Sequence, residues 1–339
     1  MGRHAHIRIA TAGLMLVGIT AFAPAATAAA ATDGPAPYQF DAAIVNNSLA
    51  VSSDGQIAVA SDSRVPGVRV YDLASGRLLK TLDGFITPRN SLFTPDGKML
   101  LISDSTLGEV IILDTVRWLP LGRIAIGGGA FGTATDRQGQ RLYVNNESAN
   151  TVTVVDLASR RTRAVLTGFA QPRQGIKLNP NGTQLFVTSF LGDKISVVDV
   201  ASLKTVSEIT GFKGIRALSV TTDGTTLYAA NGADNSIAIV DLHTDKIVAS
   251  VPVGRDPYGA ALSPDQKRLY SGGKIDNTLT IIDTTTRTSV GKITGFNEPR
   301  QAIVFNAGGD LAYVLNKDLS IAVVDLRTAT IVRRIGATE

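Results

Sequence analysis

An aspartate recurs at a near-constant interval through most of this chain: Asp72, Asp114, Asp156, Asp199, Asp241, Asp283 and Asp325, separated by 42, 42, 43, 42, 42 and 42 residues. Each closes a short run rich in β-branched residues, of which Thr151-Val152-Thr153-Val154-Val155-Asp156 is the clearest. A unit of this length cannot bury an apolar face by itself. Seven of them at a fixed period therefore call for like units packed on one another.

Every copy parses into four strands. In the third copy these are Phe131 to Thr135 (A), Arg141 to Asn145 (B), Thr151 to Asp156 (C) and Thr162 to Leu166 (D). Alternation and β-branching favour strand, and no segment sustains a 3.6-residue period. Between A and B stand Asp54-Gly55, Asp96-Gly97, Gln138-Gly139, Asn181-Gly182, Asp223-Gly224, Asp265-Gln266 and Gly308-Gly309, mostly hairpin dipeptides. The expected fold is all-β: a seven-bladed β-propeller of four antiparallel strands per blade, spanning residues 44–339. A β-solenoid would have a shorter period, and a WD40 propeller would need Trp-Asp dipeptides where this chain has only Trp118. A hydrophobic content of 44% against 18% charged residues is enough for a large core.

The first 28 residues read as a secretory signal peptide: Arg3 and Arg8, an apolar run from Ile9 to Ala23, and the small-x-small site Ala26-Thr27-Ala28. Residues 29–43 form a lead-in. No other stretch approaches the roughly 20 apolar residues of a membrane span, and no lipobox cysteine is present. The expectation is a soluble exported monomer, periplasmic or secreted. Tyr38 to Phe40 and Thr330 to Ile335 fall in the same outermost-strand slot, and the C-terminal segment is expected to take it. Loss of Arg3 and Arg8 lowers the formal charge from +4 to +2, which argues against duplex nucleic acid as a partner. The absence of cysteine excludes disulfides, thiolate metal sites, c-type haem attachment and a cysteine nucleophile.

Tyr143-Val144-Asn145-Asn146 with Asn150-Thr151-Val152, the turn Pro95-Asp96-Gly97, and Val154-Val155-Asp156-Leu157-Ala158 resemble the YVTN-type propeller repeats of bacterial periplasmic and archaeal surface-layer proteins. The resemblance covers roughly residues 44–336. It implies a seven-bladed exported propeller and no single activity.

The periodic aspartates are expected to cap amides of the C-to-D turns, because radial symmetry spreads them too far apart to hold a metal. His243 is the sole histidine beyond the leader and falls in one of these turns, which argues against a Ser-His-Asp triad, a multi-histidine zinc site and bis-histidine haem. Four D-to-A loops share a Gly-Phe dipeptide followed by an arginine. Phe85, Phe169, Phe212 and Phe296 are expected to wedge between blades.

The arginine slot, read around the ring, holds Asn47, Arg89, Phe131, Arg173, Arg216, Tyr258 and Arg300, and should surround one mouth of the central channel. Guanidinium groups suit carboxylate or phosphate and aromatics suit a ring, which points to a small anionic ligand, or to an envelope or extracellular protein partner. The competing reading, which the like-charge crowding favours, is pairing of each arginine with an acid of a B-to-C loop: Asp62, Asp104, Glu147, Asp193, Asp234, Asp276 or Asp318. The reading favours a binding module without cofactor over an enzyme. The alternatives are a lactonase-like hydrolase or lyase using Glu147, Glu298, Asp193, Asp234 or Asp276 with or without calcium, and a structural envelope protein.

Overall fold

The computed structural model describes residues 44–300 and 302–336. The leader, the lead-in and Tyr38 to Phe40 lie outside the described residues. Twenty-eight strands form seven antiparallel four-stranded sheets, each built from consecutive strands. Blades 1 to 7 span 47–82, 88–125, 130–166, 172–210, 215–252, 261–293 and 303–335. The one helical element among the described residues is a 3-10 turn, Gly232–Asp234, and no helix is long and apolar enough to cross a membrane.

The third copy folds as Ala130–Thr135, Arg141–Asn146, Thr151–Asp156 and Arg161–Leu166, within a residue of the expected limits. Thr330–Ile335 pairs with Ile321–Asp325 and completes blade 7. Among the described residues each blade, the last included, is thus built from four strands consecutive in sequence.

Seven apolar clusters account for the core, one at each seam between neighbouring blades. Alternation along each strand puts one set of side chains against the preceding blade and the other against the next. Leu142, Val144 and Val155 thus face blade 2, while Tyr143, Val152 and Val154 face blade 4. Phe85, Phe169, Phe212 and Phe296 each lie in a seam cluster as expected. The closing seam packs Leu49, Tyr71 and Leu73 against Tyr313, Leu315 and Ile321.

The periodic aspartates cap their turns. Oδ1 of Asp72 accepts the amide and hydroxyl of Ser75, Asp156 and Asp199 do the same with Ser159 and Ser202, and Asp114, Asp241, Asp283 and Asp325 each accept at least one turn amide. These bonds hold the carboxyls of Asp72, Asp114, Asp156, Asp199 and Asp283 below their ordinary value. Asp325, which also accepts from the Arg327 side chain, is pushed to about 2. His243 sits in its C-to-D turn, where its amide donates to Asp241.

Candidate functional site at the channel mouth

Strand register sets each arginine slot near the start of a first strand, and each strand A packs beside those of its neighbours around the channel. Phe131, Arg173, Arg216 and Tyr258 line one narrow pocket of about 30 Å³. Arg173, Arg216, Tyr258 and Arg300 also line a wider bowl of about 630 Å³. Asn47 and Arg89 line neither: they are fully buried behind the wall.

What separates the two groups is the chain segment just before blade 1. The Arg89 guanidinium donates to the Ile44 carbonyl (2.5 Å), Asn46 Oδ1 (3.0 Å) and Ser105 Oγ (2.8 Å), and its plane lies 4.7 Å from the Phe131 ring. Burial pushes its pKa down to about 10, so it remains charged at neutral pH. Arg300 donates to the Val45 carbonyl. Residues 44–46 thus fill one side of the mouth and turn a sevenfold ring into a lopsided bowl.

On the open side, guanidiniums and aromatics alternate. Arg173 stacks 3.7 Å from Phe190, and Arg216 stacks 3.6 Å from Tyr258. Arg300 lies 5.7 Å from the centre of the same Tyr258 ring. Stacking covers the face of a guanidinium and leaves its in-plane N–H groups to bind oxygen. Arg173 Nη2 uses one on Gln171 Oε1, and Arg216 Nη2 one on Asp256 Oδ1, both at 2.7 Å.

Of Arg173, Arg216 and Arg300, it is Arg173 that pairs with a B-to-C acid, its Nε 3.8 Å from Glu147 Oε2. Arg216 and Arg300 pair instead with Asp256 and Glu298 of D-to-A loops. The B-to-C acids stand at different steps of their loops and do other work. Asp104 accepts the amides of Ile86, Thr87, Thr106 and Leu107, Asp193 accepts that of Gly214, and Asp276 that of Arg255. Asp62 pairs with Arg64, Asp234 with Lys213, and Asp318 caps Ser320. Asn150, Asn235 and Asn277, all in the left-handed region, likewise accept amides of the next blade's entry loop. These side chains fix the loops that present the ring. Among the described residues no group of three or more potential metal-ligating side chains gathers.

Sequence reading missed Phe190, Lys274 and Lys317, which line the bowl. All occupy one repeat position at the end of the second strand, where the other blades carry Ser63, Ser105, Glu147 and Gly232. That column varies with the ring: Ser105 holds Arg89, Phe190 stacks on Arg173, and a Cβ at Gly232 would stand 2.8 Å from Arg216 Nε. Lys317 donates to Glu298 at 2.6 Å and holds that carboxyl below its ordinary value.

The single spacing of 43 has a structural cause. Blade 4 carries one extra residue in its first strand, a bulge between Pro172 and Ile176. Asn145 Nδ2 secures it by donating to the Arg173 carbonyl at 2.7 Å. Gln174 then reaches across the channel, accepting from Asn46 Nδ2 (3.3 Å) and donating to Asn90 Oδ1 (2.5 Å), while Asn90 Nδ2 donates to Thr133 Oγ1 (2.6 Å). This belt floors the pocket.

No curated protein matches the chain. Among solved structures, Kuenenia stuttgartiensis Hydrazine Synthase is similar with a TM-score of 0.74 at 20% identity, over 87% of this chain and 96% of that one, a likeness of fold. A family profile described as "Lactonase, 7-bladed beta-propeller" matches residues 123–305, more than half of the sequence and most of the open side of the ring. The chain belongs to the seven-bladed β-propeller lactonase family.

Proposed function

We propose that this protein is an exported, YVTN-type propeller that binds a small anionic ligand in the bowl at its channel mouth. One observation carries the reading: the five cations Arg173, Arg216, Arg300, Lys274 and Lys317 line the bowl and share only three carboxylates, Glu147, Asp256 and Glu298, which leaves an excess of positive charge at the opening. Like charges crowded at one opening repel, and an anion relieves that repulsion. Phe190 and Tyr258 hold two of the guanidiniums in fixed planes, so less side-chain entropy is lost on binding. Such planes suit the paired oxygens of a carboxylate or phosphate.

Thermal shift with phosphates, carboxylates and sulfated sugars tests this. Anions should stabilise the wild type, and Arg173→Ala with Arg216→Ala should abolish the effect. An unchanged shift in the double variant would remove the bowl from consideration.

The family assignment favours a second reading, hydrolysis of a small cyclic ester bearing an anionic group. Of the acids considered from sequence, Glu298 alone lines the bowl, ionised and paired with Lys317 and Arg300, and it would serve as the base once a bound anionic group competes for those two cations. Glu298→Gln should then abolish lactone hydrolysis while anion binding persists. Hydrolysis surviving in that variant rules out this role.

A further inference from the structure

The bowl and the narrow pocket adjoin. Ile44, Arg173, Phe190, Arg216 and Tyr258 line both, so a group held by the two guanidiniums lies at the entrance of the pocket. The rings fix the order of that entrance: the Phe190 ring centre stands 3.7 Å from the Arg173 guanidinium and 6.0 Å from that of Arg216, and Arg216 in turn lies 3.6 Å from the centre of Tyr258.

Past the entrance the chemistry changes. Ile44, Phe131, Phe190, Ile215 and the Tyr258 ring supply apolar wall. Three uncharged polar side chains also reach the pocket, and each is already bonded to protein. Asn46 Nδ2 donates to the Arg89 carbonyl at 2.6 Å and to Gln174 Oε1 at 3.3 Å, Gln174 Nε2 donates to Asn90 Oδ1 at 2.5 Å, and Thr188 Oγ1 donates to the Gly175 carbonyl at 3.1 Å. A volume of about 30 Å³ is room for about two water molecules. Water with so few free partners is displaced by an alkyl group at a gain in affinity.

Resting on the anion reading of the bowl, we propose that its ligand class is a short, unbranched monocarboxylate, with the carboxylate at Arg173 and Arg216 and an alkyl tail of about two carbons in the pocket. Phosphate and sulfate satisfy the cations and leave the pocket wet. A tert-butyl group, with four carbons, exceeds the space.

The test is calorimetric titration of the intact protein at neutral pH and constant salt with inorganic phosphate, then with formate, acetate, propionate, butyrate, hexanoate and pivalate. All these acids are ionised there, so differences along the series report the tail. Affinity should rise about fourfold per carbon from formate to propionate, level off by butyrate, and drop for pivalate to the level of acetate or below. Ile44→Ala keeps the carbonyl that Arg89 holds and widens the pocket, and should move the plateau out by about two carbons. A flat series, a rise continuing to hexanoate, pivalate binding as tightly as propionate, or a plateau unmoved in Ile44→Ala overturns the proposal, and phosphate binding in the same protein then leaves the bowl itself standing. If neither phosphate nor any carboxylate binds, both readings fall. The wild-type series decides the matter even if the variant fails to fold.

Discussion

Arg89 and Arg216 hold the same step of the repeat, three blades apart across the channel, and have opposite surroundings. Arg89 is sealed in by residues 44–46 and spends its donors on Ile44, Asn46 and Ser105. Arg216 stacks on Tyr258 at the bowl surface with Gly232 leaving room beside it. One serves as a strut, and the other stands open where the proposed anion would meet it. A repeat decides where a side chain stands, and what neighbours fill the mouth decides what that side chain does.

The sharpest way to break this contrast is to delete both guanidiniums in turn. Arg89→Ala should cost about 3 kcal/mol or more of stability, because it strands buried acceptors and opens a cavity. Chemical denaturation of the two variants checks it, and the contrast fails if Arg216→Ala is the more destabilising. Next in size is Gly132→Ala. Its Cβ would meet the carbonyl oxygens of Arg173 and Gln174 at 2.6 Å, so the blade 3 and 4 first strands must part, at about 2 kcal/mol. Anion-induced stabilisation should fall with it, since the same carbonyls position Arg173.

Arg216→Ala should weaken anion binding roughly tenfold, about 1.4 kcal/mol, by calorimetric titration while leaving the melting temperature nearly unchanged. The smallest effect concerns Glu298. Its folded pKa lies below the ordinary 4.5, chiefly through Lys317, so its stabilising contribution is complete above pH 4.5 and drains away as pH falls through the lower folded value. The amount is below about 1 kcal/mol, given its partial exposure. Lys317→Met should move this loss to higher pH, which a melting series between acid and neutral pH would show.

Much of this architecture was legible because it rests on short-range pattern. The period, the four-strand parse, the capping aspartates and the wedge at Phe85 and its counterparts all follow from alternation and turn chemistry within one repeat. The ring slot was legible by the same counting. Its division into buried and open halves was not, since that depends on where residues 44–46 run, and they belong to no repeat. Phe190 escaped notice because it lies in a loop column that holds serine, glutamate, glycine and lysine in the other blades and no second aromatic. Gln174 escaped because a lone spacing of 43 shows that a residue has been added without showing where.

Each sheet is made of four consecutive strands, and the first and last blades meet through side chains such as Leu49 and Leu315 rather than through a shared sheet. A blade boundary in space is therefore also a boundary along the gene. Duplication or loss of one 42-residue unit by recombination would add or remove a whole blade with its strand order intact, and no segment would need rethreading. Change of blade number is thus open to this chain's lineage by a single genetic event, with the seam contacts as the only structure to be refitted.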